Sequence, residues 1–110
     1  MTERERQVGI LVSNLQNVLR QWERQAGLKP MALTVRGIEP GGPKAGTEVD
    51  LQPCPSDPNL TRQVIAEIKQ VVAKWEADSD SGLWVYRLSL AWRGEPPVCV
   101  PEDLDFRQAY

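Results

Sequence analysis

Histidine is absent from the 110-residue chain. That absence removes the usual general base near neutral pH, the His-containing catalytic triads and every imidazole metal ligand. Cysteine is scarce, with Cys54 between Pro53 and Pro55 in a loop and Cys99 between Val98 and Val100 in an expected strand. Two thiols with no imidazole beside them supply neither an activated nucleophile nor the four nitrogen or sulfur donors of a closed zinc site. Long apolar runs are missing as well; stretches such as 71–73 and 83–86 fall far short of the ~18 residues that cross a bilayer. Neither sign of charge dominates, since 13 Lys and Arg stand against 15 Asp and Glu for a formal net charge of −2. Such a balance gives no general attraction to nucleic acid or to an anionic membrane. The start, Met-Thr-Glu-Arg-Glu-Arg, alternates in sign, where a secretory signal has basic residues followed by an apolar core. The expectation is a soluble cytoplasmic protein with free cysteines and with no catalytic residues, cofactor, metal or membrane contact.

What is present is an ordinary globular composition, 41% hydrophobic and 25% charged, over the length of a single domain. Residues 2–26 predict a helix. Thr2 and Glu5 have capping-box spacing, Val8, Leu11, Val12, Leu15, Val18, Leu19 and Trp22 recur at steps of three and four, and Gly27 and Pro30 end the pattern. A second helix is expected from Pro58 to about Ala77, with Asp57 as N-cap and Leu60, Val64, Ile65, Ile68, Val71, Val72 and Trp75 on one face. Residues 31–39 and 47–52 alternate apolar with polar and are joined by the Gly/Pro loop 40–46, which reads as a long β-hairpin. Leu83 to Trp92 predicts the longest strand, and Pro97 to Val100 a short fourth one.

The order αββαββ, with one apolar stripe per helix and one apolar side per strand, predicts a two-layer α+β sandwich. Its two helices pack on one face of a mainly antiparallel four-stranded sheet. The same order results from moving the first strand of a ferredoxin-like fold to the end of the chain, an analogy of topology that carries no function. A strict permutation places the fourth strand inside the sheet. Pro96, Pro97 and Pro101 lack N–H donors and assign it to an edge, with the long strand central. Strict alternation turns Trp84, Tyr86, Leu88, Leu90 and Trp92 toward the helices. It turns Leu83, Val85, Arg87, Ser89, Ala91 and Cys99 outward, beside Thr34, Arg36, Glu48, Asp50 and Gln52. One domain over residues 1–101 is expected, followed by a C-terminal tail over 102–110 that Phe106 and Tyr110 pin.

The motif-like features have plain structural explanations. Asp78-x-Asp80-x-Gly82 lacks the position-6 glycine and position-12 glutamate of a calcium loop. The glycines of 37–44 follow a strand and open no helix, so no phosphate cradle forms and Lys44 is a solvated charge. Glu102, Asp103 and Asp105 read as a solvated terminus. Four tryptophans are an excess best explained by packing for Trp22, Trp75 and Trp84, whereas Trp92, at a strand end before Arg93, is open to a role as a partner anchor. The reading is a small non-enzymatic protein-interaction or accessory module of unknown protein partner, with a homodimer through an open strand edge or open sheet faces expected over a monomer. Its candidate partner-binding residues are Trp92, Arg93, Arg36 and Arg87. The alternative is a nucleic-acid-associated protein using Arg36, Arg87 and Arg93, disfavoured because the open face is expected to lack aromatic platforms.

Overall fold

The computed structural model describes residues 2–37, 47–53, 56–78 and 82–108. The expectations for loop 40–46 with Lys44, for Cys54, for Asp80 and for Tyr110 lie outside the described residues.

Helix α1 (Glu3–Ala26) starts where the capping signal places it: the Thr2 hydroxyl accepts from the Glu5 N–H at 3.1 Å. It ends at Gly27, whose φ of 70° is the left-handed conformation that costs glycine least. Helix α2 (Pro58–Asp78) is capped by the Asp57 carboxylate, which accepts from the Asn59 N–H at 2.9 Å. The helices lie antiparallel, and two indoles tie them together. Trp22 donates to the Glu67 carboxylate at 2.6 Å, and Trp75 to the Gln7 carbonyl at 2.8 Å. Both rings bury apolar area and still satisfy their N–H groups.

Strands β1 (Ala32–Gly37), β2 (Thr47–Gln52), β3 (Leu83–Arg93) and β4 (Val98–Gln108) form one antiparallel sheet in the order β2-β1-β3-β4. Both helices cover one face, which gives an α+β two-layer arrangement. The core joins Leu11, Leu15, Val18 and Leu19 of α1 and Val64, Ile68, Val72 and Trp75 of α2 to Leu33, Val35, Leu51, Leu88 and Leu90 of the sheet. The long strand is interior and the proline-bearing strand is an edge, as the missing N–H donors require.

The fourth strand differs from expectation in extent. It continues through residues 102–108, so these residues belong to the sheet and are not a tail. Asp103-Leu104-Asp105-Phe106-Arg107 alternates polar with apolar, and the alternation sends Phe106 into the core against Trp75, ring centroids 5.5 Å apart. Pro101 does not end the strand because it sits at a bulge, where the ladder is already interrupted.

The phase of β3 differs as well. Val85 pairs with Phe106 and Arg87 with Asp105, which leaves Tyr86 as an extra residue. Ser89 pairs with Asp103 and Leu90 with Pro101, which leaves Glu102 as the matching extra residue on β4. The first bulge shifts the side-chain phase of β3 by one. Leu83 and Val85 therefore face the helices along with Leu88 and Leu90, while Trp84 stands outside the core cluster on the opposite face with its neighbour Tyr86. Cys99 is also corrected. It pairs with Trp92 and packs against the core from the helix side.

Val18 and Ile68 are 9% and 0% exposed in the helix–helix–sheet contact. An unpaired carboxylate there costs several kcal/mol against a total stability of roughly 5–15 kcal/mol. Val18→Asp and Ile68→Asp are expected to abolish cooperative urea unfolding by circular dichroism, whereas Val98→Asp, at a position 61% exposed, is expected to leave the midpoint nearly unchanged.

Candidate functional site

The two bulges cancel: the pairing register of β3 with β4 is the same before the first and after the second. β3 changes phase at the first bulge and β4 at the second, and the apolar pairs stay on the helix side. These are Val85 with Phe106, Leu88 with Leu104, Leu90 with Pro101 and Trp92 with Cys99. The outer face receives Arg87 with Asp105, Ser89 with Asp103 and Arg93 with Val98. Gly37 is required beside this arrangement. A Cβ there would collide with the Val85 carbonyl and lie 2.8 Å from Cζ3 of Trp84, so the indole takes the space that a side chain would occupy.

The outer face carries the arginines singled out from the sequence. Arg36 and Arg87 are brought directly opposite each other on β1 and β3. Arg87 is held by Asp103 at 2.5 Å, Arg93 by Glu102, and Arg107 by Asp105 at 3.1 Å. The guanidinium of Arg107 also lies 4.1 Å from the Tyr86 ring centroid, and Trp84 meets the edge of that ring with centroids 6.0 Å apart. Aromatics are thus present on the open face, contrary to the strict-alternation reading. They form no free stacking platform: Trp84 is 4% exposed and a guanidinium covers Tyr86. The pairs leave a face of alternating sign and no continuous basic stripe.

Trp92, the fourth candidate, is not part of this group. It faces the helix side, packs against the core and lines a cavity of about 610 Å³ with Gln16, Leu19, Arg20, Pro30 and Cys99. The candidate set therefore divides between two faces of the sheet.

A second concave region escapes the sequence reading because it depends on the true length of β4. Val8, Val12, Pro101, Leu104 and Phe106 line an apolar groove of about 470 Å³ between α1 and β4. Arg4 closes one end by donating to the Phe106 carbonyl at 2.8 Å. The alternation of residues 103–107 was the available signal. Val98, Val100 and Leu104 are 61%, 39% and 43% exposed. Leu104 faces the groove, whereas Val98 and Val100 pair with Arg93 and Ala91 on the outer face.

No family model matches the chain, and neither the curated proteins nor the solved structures give a match. No group of three or more Cys, Asp or Glu that could hold a metal ion occurs among the described residues. No helix of the described residues is long and apolar enough to cross a membrane.

One half-buried titratable group has a structural task. The Glu76 carboxylate accepts from the Val85 N–H at 2.8 Å, beside the first bulge. Burial pushes its pKa up, and the Val85 hydrogen bond opposes that only in part. A carboxyl with a raised folded pKa favours the folded state below its unfolded pKa, and that contribution is lost as pH rises through the folded value. Glu76→Gln keeps an acceptor for Val85 and removes the charge. Its stability relative to wild type is expected to improve between pH 4 and pH 7 in urea titrations, and a pH-independent difference would contradict this account of Glu76.

Proposed function

We propose that the protein is a small non-catalytic interaction module that takes a protein partner in the groove between α1 and β4. The supporting observation is Leu104, a large apolar side chain left 43% exposed in a groove lined by Val8, Val12 and Phe106. The partner presents apolar side chains from a helix or loop and does not add a strand. Three features guard the edge against strand addition: Pro101 removes a donor, the bulge at Glu102 breaks the ladder, and Arg4 holds the Phe106 carbonyl. Cytoplasmic residence belongs to this reading, because a reducing compartment suits the free Cys99 thiol.

A homodimer through the sheet edges is the weaker reading. On the β2 edge Glu48 and Asp50 lie on the outer face with Gln52. An antiparallel pairing of two β2 strands that keeps equivalent faces together sets carboxylates beside carboxylates, and like charges opposite each other oppose such a pairing. On the β4 edge Pro101 and the bulge at Glu102 interrupt the ladder. The nucleic-acid reading loses support because Arg87 and Arg93 are neutralised by Asp103 and Glu102.

The test compares affinity capture by the wild-type chain, by Leu104→Gln in the groove and by Arg36→Glu on the outer face, after nuclease treatment. A protein captured stoichiometrically by wild type and by Arg36→Glu but lost with Leu104→Gln supports the groove. Loss with Arg36→Glu instead refutes it. Light scattering of the purified chain at micromolar concentration is expected to give the monomer mass of 12.4 kDa, and twice that mass would refute the argument against edge pairing.

A further inference from the structure

A concavity larger than the apolar groove is also present. It lies at the other end of α1, where the helix passes over the paired Trp92 and Cys99. At about 610 Å³ it falls within the range of small-molecule sites, roughly 300–1,000 Å³. Four elements converge on it. Helix α1 supplies Gln16, Leu19, Arg20 and Glu23, the link into β1 supplies Lys29 and Pro30, β3 ends in it with Trp92, and β4 starts in it with Cys99. Leu19 is buried, Trp92 and Pro30 are half-buried, and together they give it an apolar wall.

Its polar groups differ from those of the outer sheet face. There, Arg87, Arg93 and Arg107 are each neutralised by a carboxylate. Here, Arg20 and Lys29 form no ion pair among the described residues, and both line the same cavity. Glu23 is a single carboxylate against those two cations. The thiol of Cys99 adds no charge, because burial pushes its pKa up despite the Gln16 hydrogen bond and nearby Arg20. The cavity therefore holds a surplus of one positive charge beside an aromatic and proline-lined wall.

We propose that this cavity binds a small organic monoanion with a flat apolar body. The body lies along Trp92, Pro30 and Leu19, and the anionic head meets Arg20 and Lys29. A carboxylate suits this pair because a guanidinium offers it two parallel donors. Glu23 opposes a more highly charged head such as a phosphate dianion, since the cavity then carries too little positive charge. The site shares Gln16 with the Leu104 groove and stands whether or not that groove takes a partner.

The probe is benzoate, with benzamide as its uncharged counterpart, titrated into the ¹⁵N-labelled full chain by NMR. A fragment of about nine non-hydrogen atoms is expected to bind in the millimolar range. The expected result is saturable shifts at Gln16, Arg20, Lys29, Cys99 and the Trp92 indole with benzoate, and binding at least ~10-fold weaker with benzamide. Arg20→Gln combined with Lys29→Gln changes two exposed side chains and is expected to weaken benzoate ~10-fold or more while leaving the urea midpoint in place. No saturable shift at these residues, equal binding of benzamide, or undiminished binding by the double variant would each overturn the proposal.

Discussion

The one-residue bulge at Tyr86 is the constraint on which the rest of the sheet depends. The segment Leu83–Trp84–Val85–Tyr86 is apolar at every position, so either phase buries apolar surface. The ladder with β4 chooses between them: Val85 meets Phe106, Tyr86 is left over, and Arg87 meets Asp105. That choice sends Val85 into the core and keeps Arg87 in solvent, where its charge costs least. The compensating bulge at Glu102 returns β4 to phase and lets Pro101 and Cys99 follow on the helix side. Without the second bulge, Glu102 and Val100 would meet Leu90 and Trp92 on the helix side, and Pro101 and Cys99 would face outward.

This arrangement explains why the surface is uneven. The outer sheet face is occupied by its own ion pairs and by the stacked Arg107 and Tyr86. Such exposed pairs are individually worth little, roughly 0–1 kcal/mol. Their effect is to neutralise Arg87, Arg93 and Arg107 and to cover the Tyr86 ring. The helix side is different, because two helices cover four strands. They cover β1 and β3 as far as Leu90, while the inner side of the sheet remains accessible at Trp92 and Cys99 and at Leu104. Both concavities flank α1 for this reason, one above Leu104 and the other above Cys99.

The helices were legible from the sequence because their signals are local. Thr2 with Glu5, Gly27 and Asp57-Pro58 mark the ends by the chemistry of free N–H and C=O groups, and the seven-residue stripes mark the buried faces. The hairpin strands were legible because Thr34, Arg36, Glu48 and Asp50 separate the apolar positions. The phase of β3 was not. Extrapolating inward from Arg87 and Ser89 assigns Trp84 and Tyr86 to the core, and a bulge depends on the partner strand. The length of β4 was hidden by Pro101, although Leu104 and Phe106 alternate with three charged residues. Of the four candidate residues, the shared face of Arg36 and Arg87 was readable from alternation. The separation of Trp92 from the arginines was equally implied by alternation. Its meeting with Arg20 and Lys29 needed the crossing of α1 over the sheet, which no local pattern encodes.

The most direct test of this account is which face each side of β3 presents at the bulge, read from nuclear Overhauser effects in the isotopically labelled chain. The structure predicts contacts from the Val85 methyls to the Phe106 ring, and contacts from the Trp84 ring to Gly37 Hα and to Tyr86. Contacts from the Trp84 ring to Val72 or Ile68, with Val85 showing none to Phe106, would contradict it and return β3 to strict alternation.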